Sequence, residues 1–276
     1  MDLDSIDAVL APRTRDTLPA WRPGDAWLAG GTWLFSEPQP ELFRLVDISG
    51  LGWPAVEIGE AGLSVSATCT VSALDRLELP AAWIAAPLIP QCCRSLLGSF
   101  KIRNAATVGG NLCMALPAGP MTSLAAALDG ICVIWTPEGA ERRVDVTDFV
   151  RGPQATALRP GELLRRIDIP AAALRRRTAF RRVSLSPNGR SGALVIGTLD
   201  PEVGGFALTV TASTRRPLRL RLPAIPSAHA LRENLAALVP DDLWYDDLHG
   251  APAWRAHVTR LFAEEIRREL HEGSAA

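Results

Sequence analysis

The stretch Arg103-Asn104-Ala105-Ala106-Thr107-Val108-Gly109-Gly110-Asn111-Leu112-Cys113-Met114-Ala115-Leu116-Pro117-Ala118-Gly119 constrains this chain more than any other. Arg-Asn opens it, a Gly-Gly pair closed by Asn sits at its centre, and Pro-Ala-Gly ends it. Two adjacent glycines release the backbone from angles that a Cβ forbids. They also let main-chain N–H groups come close to a bulky anion. A second Gly-Gly turn lies upstream in Leu28-Ala29-Gly30-Gly31-Thr32. Either pair alone is an ordinary tight turn. Together they point to two backbone loops gripping one elongated, phosphate-bearing ligand.

At 276 residues, 47% of them hydrophobic, the chain holds one large or two medium domains and buries a sizeable core. Its 29 basic and 30 acidic residues leave a net charge of −1, so no global field favours nucleic acid or a membrane surface. Lys101 is the only lysine. The start, Met1-Asp2-Leu3-Asp4, lacks the basic region of a signal peptide, and no apolar run spans a bilayer. Five cysteines without regular spacing predict reduced thiols in the cytoplasm. With no C-x-x-C, the chain is expected to carry no metal ligands and no cluster of its own. Four scattered histidines show no ligand spacing, and no catalytic dyad stands out.

Taken in order, residues 1–24 carry a short helical pattern. Trp27-Leu28-Ala29 reads as a strand ending in Gly30-Gly31. Thr32 then caps a brief helix that Pro38 and Pro40 close, and Leu45 to Ile48 is a second strand. Gly50-Leu51-Gly52-Trp53-Pro54-Ala55 imitates a dinucleotide fingerprint, but Val56 to Ile58 and Leu63 to Ala67 alternate as strands rather than opening a helix. Ala81 to Leu97 reads as a helix interrupted at Pro87 and Pro90. After the glycine-rich stretch come a helix from Pro120, a buried strand Ile131–Trp135 and a strand over 162–170. Residues 171–180 mark a boundary. Strands follow at 180–184, 193–199 and 206–211, then helices Ala228–Leu238 and Pro252–Leu270. The last carries Trp254, Val258, Leu261, Phe262 and Ile266 on one stripe.

Arg103 to Gly119 resembles the RNxxTxGGNxxxxxPAG signature of the FAD-binding subunit of molybdenum hydroxylases, the relatives of xanthine dehydrogenase and carbon monoxide dehydrogenase. Leu28 to Thr32 resembles that family's first FAD loop. The resemblance implies an α+β fold. A two-subdomain FAD-binding domain of the vanillyl-alcohol oxidase-like (PCMH) type would occupy 1–172, split at about 55. A C-terminal α+β domain with a small antiparallel sheet and helices would occupy 177–276. It implies FAD contacts from Ala29, Gly30, Gly31, Thr32, Trp33 and Leu34, and from Thr107, Val108, Gly109, Gly110 and Asn111. Leu164 matches a flavin-contacting position, and Arg182 a basic one near the ring, where a cation stabilises reduced flavin.

It also implies partners. Molybdopterin would sit on a large subunit and [2Fe–2S] clusters on a small one, with FAD here passing electrons to NAD, oxygen or a quinone. The arginine-rich segments 175–182 and Arg215–Arg221 are the candidate contact regions. Two departures stand out: Pro120 where the family has Asp after Pro-Ala-Gly, and Trp33 where the first loop has Asp. They motivate a competing reading, a flavin-free scaffold or assembly subunit that keeps the fold. A free-standing flavin oxidase is the third reading, and it would require a base near the ring.

Overall fold

The computed structural model describes residues 4–273. Its order is set by three main sheets. The first is a parallel three-stranded sheet of β1 (Ala8–Leu10), β2 (Asp25–Leu28) and β3 (Arg44–Asp47), with β3 in the centre. Residues read as helical before position 24 are β1 and a single 3-10 turn at Arg15–Thr17; Met1 to Leu3 of that stretch lie outside the described residues. The short apolar run Ala8-Val9-Leu10 has a ready partner in β3, and pairing overrides the weak helical pattern. The crossing from β2 to β3 is also not helical. Phe35 N–H bonds to Gly31 O and Ser36 N–H to Trp33 O, which makes successive turns rather than a helix capped by Thr32.

The second sheet is antiparallel, in the order β4 (Val56–Gly59), β5 (Gly62–Ser66), β10 (Leu163–Pro170), β6 (Ile131–Trp135), β7 (Glu141–Asp145). The Gly50–Ala55 imitation of a fingerprint leads into β4, not a helix. Helices α1 (Val71–Asp75), α2 (Leu88–Arg94), α3 (Phe100–Ala105), α4 (Val108–Met114) and α5 (Pro120–Ala127) follow β5. The helix expected over 81–97 is confined to α2. Pro90 falls in its first turn, where a missing N–H costs nothing. Next come β6 and β7, the turn α6 (Val146–Phe149), and the ribbon of β8 (Val150–Gly152) and β9 (Ala155–Thr156). After β10 lies the turn α7 (Ala171–Leu174).

The third sheet is antiparallel and sequential: β11 (Arg177–Ser184), β12 (Ser191–Leu199), β13 (Phe206–Thr211) and β14 (Leu218–Leu222). Helices α8 (Ala228–Leu238) and α9 (Pro252–Glu272) complete the chain. Every residue of β12 is buried, because one face packs on α9 and the other on α5. That explains a strand with no alternation. One core lies under the five-stranded sheet and includes Leu194, Ile196 and Ala212 from the third sheet. A second fills the space between the third sheet, α8 and α9.

The buried stripe of α9 differs from the expected one. Val258 and Ile266 are buried as expected, but Leu261 is 50% exposed, and Arg255, Ala256, Thr259, Ala263 and Leu270 are buried beside them. Arg255 is the largest of these buried side chains. It donates to Gly250 O (2.7 Å), Gly192 O (2.7 Å) and Ala212 O (2.5 Å), and it pairs with Asp247. Among the described residues no helix is long and apolar enough to cross a membrane.

Candidate functional site

A cleft of about 1210 Å³, counting the solvent at its mouth, opens between the β2–β3 crossing and α4. Trp27 to Leu34 form one wall. Ala106, Thr107, Gly110, Asn111, Cys113 and Met114 form the other. Ser95 to Leu97 and Ile102 close one side, and Leu116, Ala118, Gly119, Arg190 and Ser191 close the rest. The two glycine segments singled out in sequence therefore face each other. They also touch: a Cβ on Gly30 would stand 1.9 Å from Ala105 O.

The glycine pair of the long signature is not a turn. Gly109 and Gly110 lie in the first turn of α4, with Thr107 as N-cap. Its amides are consumed within the protein. Val108 N–H donates to Cys69 O (2.8 Å), Gly109 N–H to Ala67 O (3.0 Å) and Gly110 N–H to Thr107 Oγ1 (3.0 Å). The expectation that these N–H groups cradle an anion is corrected accordingly. Gly109 is glycine because α4 lies against the β5–α1 connection, where a Cβ would meet Ala67 Cβ at 2.4 Å. Val108 and Gly109 do not line the cleft; Thr107, Gly110 and Asn111 do. Asn111 Oδ1 accepts from Met121 N–H (3.0 Å), capping α5, which leaves its Nδ2 for the cleft.

The first loop carries the free donors. The N–H groups of Gly30, Gly31, Thr32, Trp33 and Leu34 find no acceptor among the described residues. Gly31 has φ +66°, a left-handed conformation that only glycine adopts without cost and that curls successive amides inward. The loop is anchored at its base. Asp25, at the start of β2, is buried and accepts from Arg44 Nε (2.7 Å), Arg44 Nη2 (2.5 Å) and Arg22 N–H (2.7 Å). The Arg44 guanidinium holds its carboxyl below the usual range. Trp27 is fixed by its Nε1–H bond to Glu162 O (2.9 Å) and by Trp21, whose ring centroid lies 4.8 Å away.

The remaining expected residues divide. Leu164 is 2% exposed in the first core and does not line the cleft. Arg182 does not line it either. Its Nε donates to Ser191 Oγ (2.7 Å), Nη1 to Pro187 O (3.4 Å) and Nη2 to Gly189 O, so it holds the β11–β12 hairpin in shape. Burial pushes its pKa down. Pro120 is buried at the first position of α5 and outside the cleft lining, whereas Trp33 lines the cleft.

Sequence reasoning missed Arg190, Ser191, Trp27 and the 95–97 wall. The Pro187-Asn188-Gly189 turn before Arg190 was the available signal. Among the described residues Arg190 is the only charged side chain lining the cleft, and no carboxylate lines it. Several arginines of the segments expected to meet a partner are engaged internally. Arg176, Arg219 and Arg221 all pair with Asp129, and Arg181 pairs with Glu265 and Glu269.

These features fit FAD. Five free amides and one cation suit a diphosphate-bearing anion, and Trp27, Leu28, Leu34, Leu96, Leu97 and Ile102 suit flat aromatic rings. Comparison with known proteins agrees. Residues 14–172 match the family described as the FAD binding domain in molybdopterin dehydrogenase. The chain is 30% identical over 237 residues to the carbon monoxide dehydrogenase medium chain of Afipia carboxidovorans, covering 78% of this chain and 80% of that one. It superposes on quinoline 2-oxidoreductase from Pseudomonas putida 86 with a TM-score of 0.80 at 21% identity, covering 100% of both chains. It also superposes on CO dehydrogenase from Oligotropha carboxidovorans with a TM-score of 0.80 at 23% identity, covering 97% of this chain and 99% of that one.

Proposed function

The chain belongs to the family of FAD-binding domains in molybdopterin dehydrogenases, and from that premise we propose that it is the flavin-bearing electron-transfer subunit of a molybdopterin-dependent hydroxylase. FAD bound here would receive electrons from [2Fe–2S] clusters on a small partner subunit, after substrate oxidation at molybdopterin on a large one. It would hand them to an external acceptor. The flavin supplies the redox chemistry when bound. This chain's residues bind and orient it. The observation that carries the reading is the run of five acceptor-free amides, Gly30 to Leu34, facing Thr107, Gly110 and Asn111 across a cleft without a carboxylate.

In this reading the first loop takes the diphosphate through main-chain N–H groups. Thr107 fixes the first turn of α4, and the Asn111 amide donates from the opposite wall. Trp33, in place of the family's Asp, lines the cleft with an apolar ring. Gly109 and Leu164 act by packing α4 and β10 behind the site. The FAD-binding unit spans 1–172, with its first subdomain ending near 55, and the second unit spans 177–276. Purified protein should carry flavin absorption, and apoprotein should quench added FAD stoichiometrically. Protein that neither retains nor rebinds FAD would favour the flavin-free scaffold, the reading that Pro120 and Trp33 motivate. Co-expression with molybdenum and iron–sulfur subunits should give dye-linked substrate oxidation that the isolated chain lacks.

A further inference from the structure

We infer that Arg190 is the cation that faces the isoalloxazine ring of bound FAD and stabilises the negative charge the ring acquires on reduction. The inference rests on the FAD reading above. The resemblance to the family puts this role on Arg182. The structure removes Arg182 from it, because that guanidinium is committed to Ser191 Oγ and to the carbonyls of Pro187 and Gly189. Arg182 is thus a positioning residue. The hairpin it shapes carries Arg190 to the cleft wall. Arg190 makes no hydrogen bond or ion pair with any other described residue, and no carboxylate in the cleft lining offsets its charge. A cation kept beside an apolar wall with no internal partner is matched to an anionic group on the occupant.

FAD offers two such groups, the diphosphate and the reduced ring. The amides of Gly30 to Leu34 already serve the diphosphate, at the end of the cleft where Gly30 abuts Ala105. The hairpin packs instead against the segment that follows α4, not the one that precedes it. Gly192 O and Ala212 O share the Arg255 guanidinium, and Ala212 N–H bonds to Pro117 O, so Arg190 and Ser191 sit beside Ala118 and Gly119. Two-electron reduction of the ring with uptake of one proton adds one negative charge. A guanidinium there binds the reduced form more tightly than the oxidised one and raises the potential.

The test uses the purified flavin-loaded chain, with dithionite as reductant and a reference dye to report the potential. Arg190→Gln should lower the two-electron potential by about 30 mV or more, a tenfold change in the ratio of reduced to oxidised affinity. Arg190→Lys should restore most of it. The oxidised FAD dissociation constant of Arg190→Gln should stay within about threefold of wild type, and its melting temperature should be unchanged. An unaltered potential would overturn the inference. So would a parallel loss of oxidised FAD and ADP affinity at constant potential, which would make Arg190 a diphosphate ligand. Wild-type protein that binds no FAD would instead defeat the underlying reading.

Discussion

Replacing Gly30 with alanine tests whether the contact between the two glycine segments builds the cleft. The Cβ would stand 1.9 Å from Ala105 O and 2.7 Å from Ala105 C. A relaxed carbon–oxygen contact lies at about 3.3–3.6 Å, so one segment must retreat by roughly 1.5 Å. Ala105 cannot yield easily, because Ala106 N–H is bonded to Ile102 O (2.7 Å) and Ala106 O accepts from Val71 N–H (2.9 Å). The loop bearing the five free amides therefore moves. Forced packing of this size costs about 1–3 kcal/mol. If the loop swings away in the free protein, that cost reappears when FAD draws it back, which weakens binding by about 5- to 150-fold. If the strain stays in the free protein, the melting temperature falls by about 2–4 °C per kcal/mol. Gly30 has no left-handed φ, so the substitution isolates the steric term. Gly59→Ala is the control, since a Cβ there meets nothing within 4 Å. Fluorescence titration of apoprotein with FAD and a thermal melt would be read together. A Gly30→Ala protein matching wild type in both would refute the argument that this contact sets the cleft.

Other consequences are equally direct. Thr107→Ala removes the N-cap of α4 and should cost about 1 kcal/mol in urea denaturation; Thr107→Ser should keep most of it. Asp25 has a depressed pKa, so its contribution is present above the unfolded carboxylate value of about 3.9 and lost as pH falls through the lower folded value. Wild-type stability should therefore drop between about pH 4 and the acid limit, and Asp25→Asn should flatten that part of the profile. Burial pushes the thiols of Cys69 up to about 11 and of Cys93 and Cys113 up to about 12. Iodoacetamide at pH 8 should label native protein far more slowly than free cysteine, even at Cys113 on the cleft wall, and should label all five cysteines in denaturant.

Much of this protein was legible in its sequence because the relevant physics is local. Two glycine-rich segments in a fixed order announced the cleft and the family. Helix α8 was read from sequence at the bounds it takes, Ala228–Leu238, and the apolar runs of β6 and β13 read directly as strands. The donor set was a different matter. Whether a backbone N–H is free depends on what packs against it: Ala67, some forty residues before α4, takes the Gly109 amide, and the Thr107 hydroxyl takes that of Gly110. The same limit governed charge. A run of arginines at 175–182 looks uniform in sequence, yet Asp129 takes Arg176 and Glu265 and Glu269 take Arg181, through contacts made only when the third sheet docks on α5 and α9. Arg182 and Arg190 are eight residues apart on one hairpin. Which of them holds the loop and which faces the cleft was decided by the Pro187–Gly189 carbonyls turning toward Arg182, a result of the folded turn that residue type cannot express.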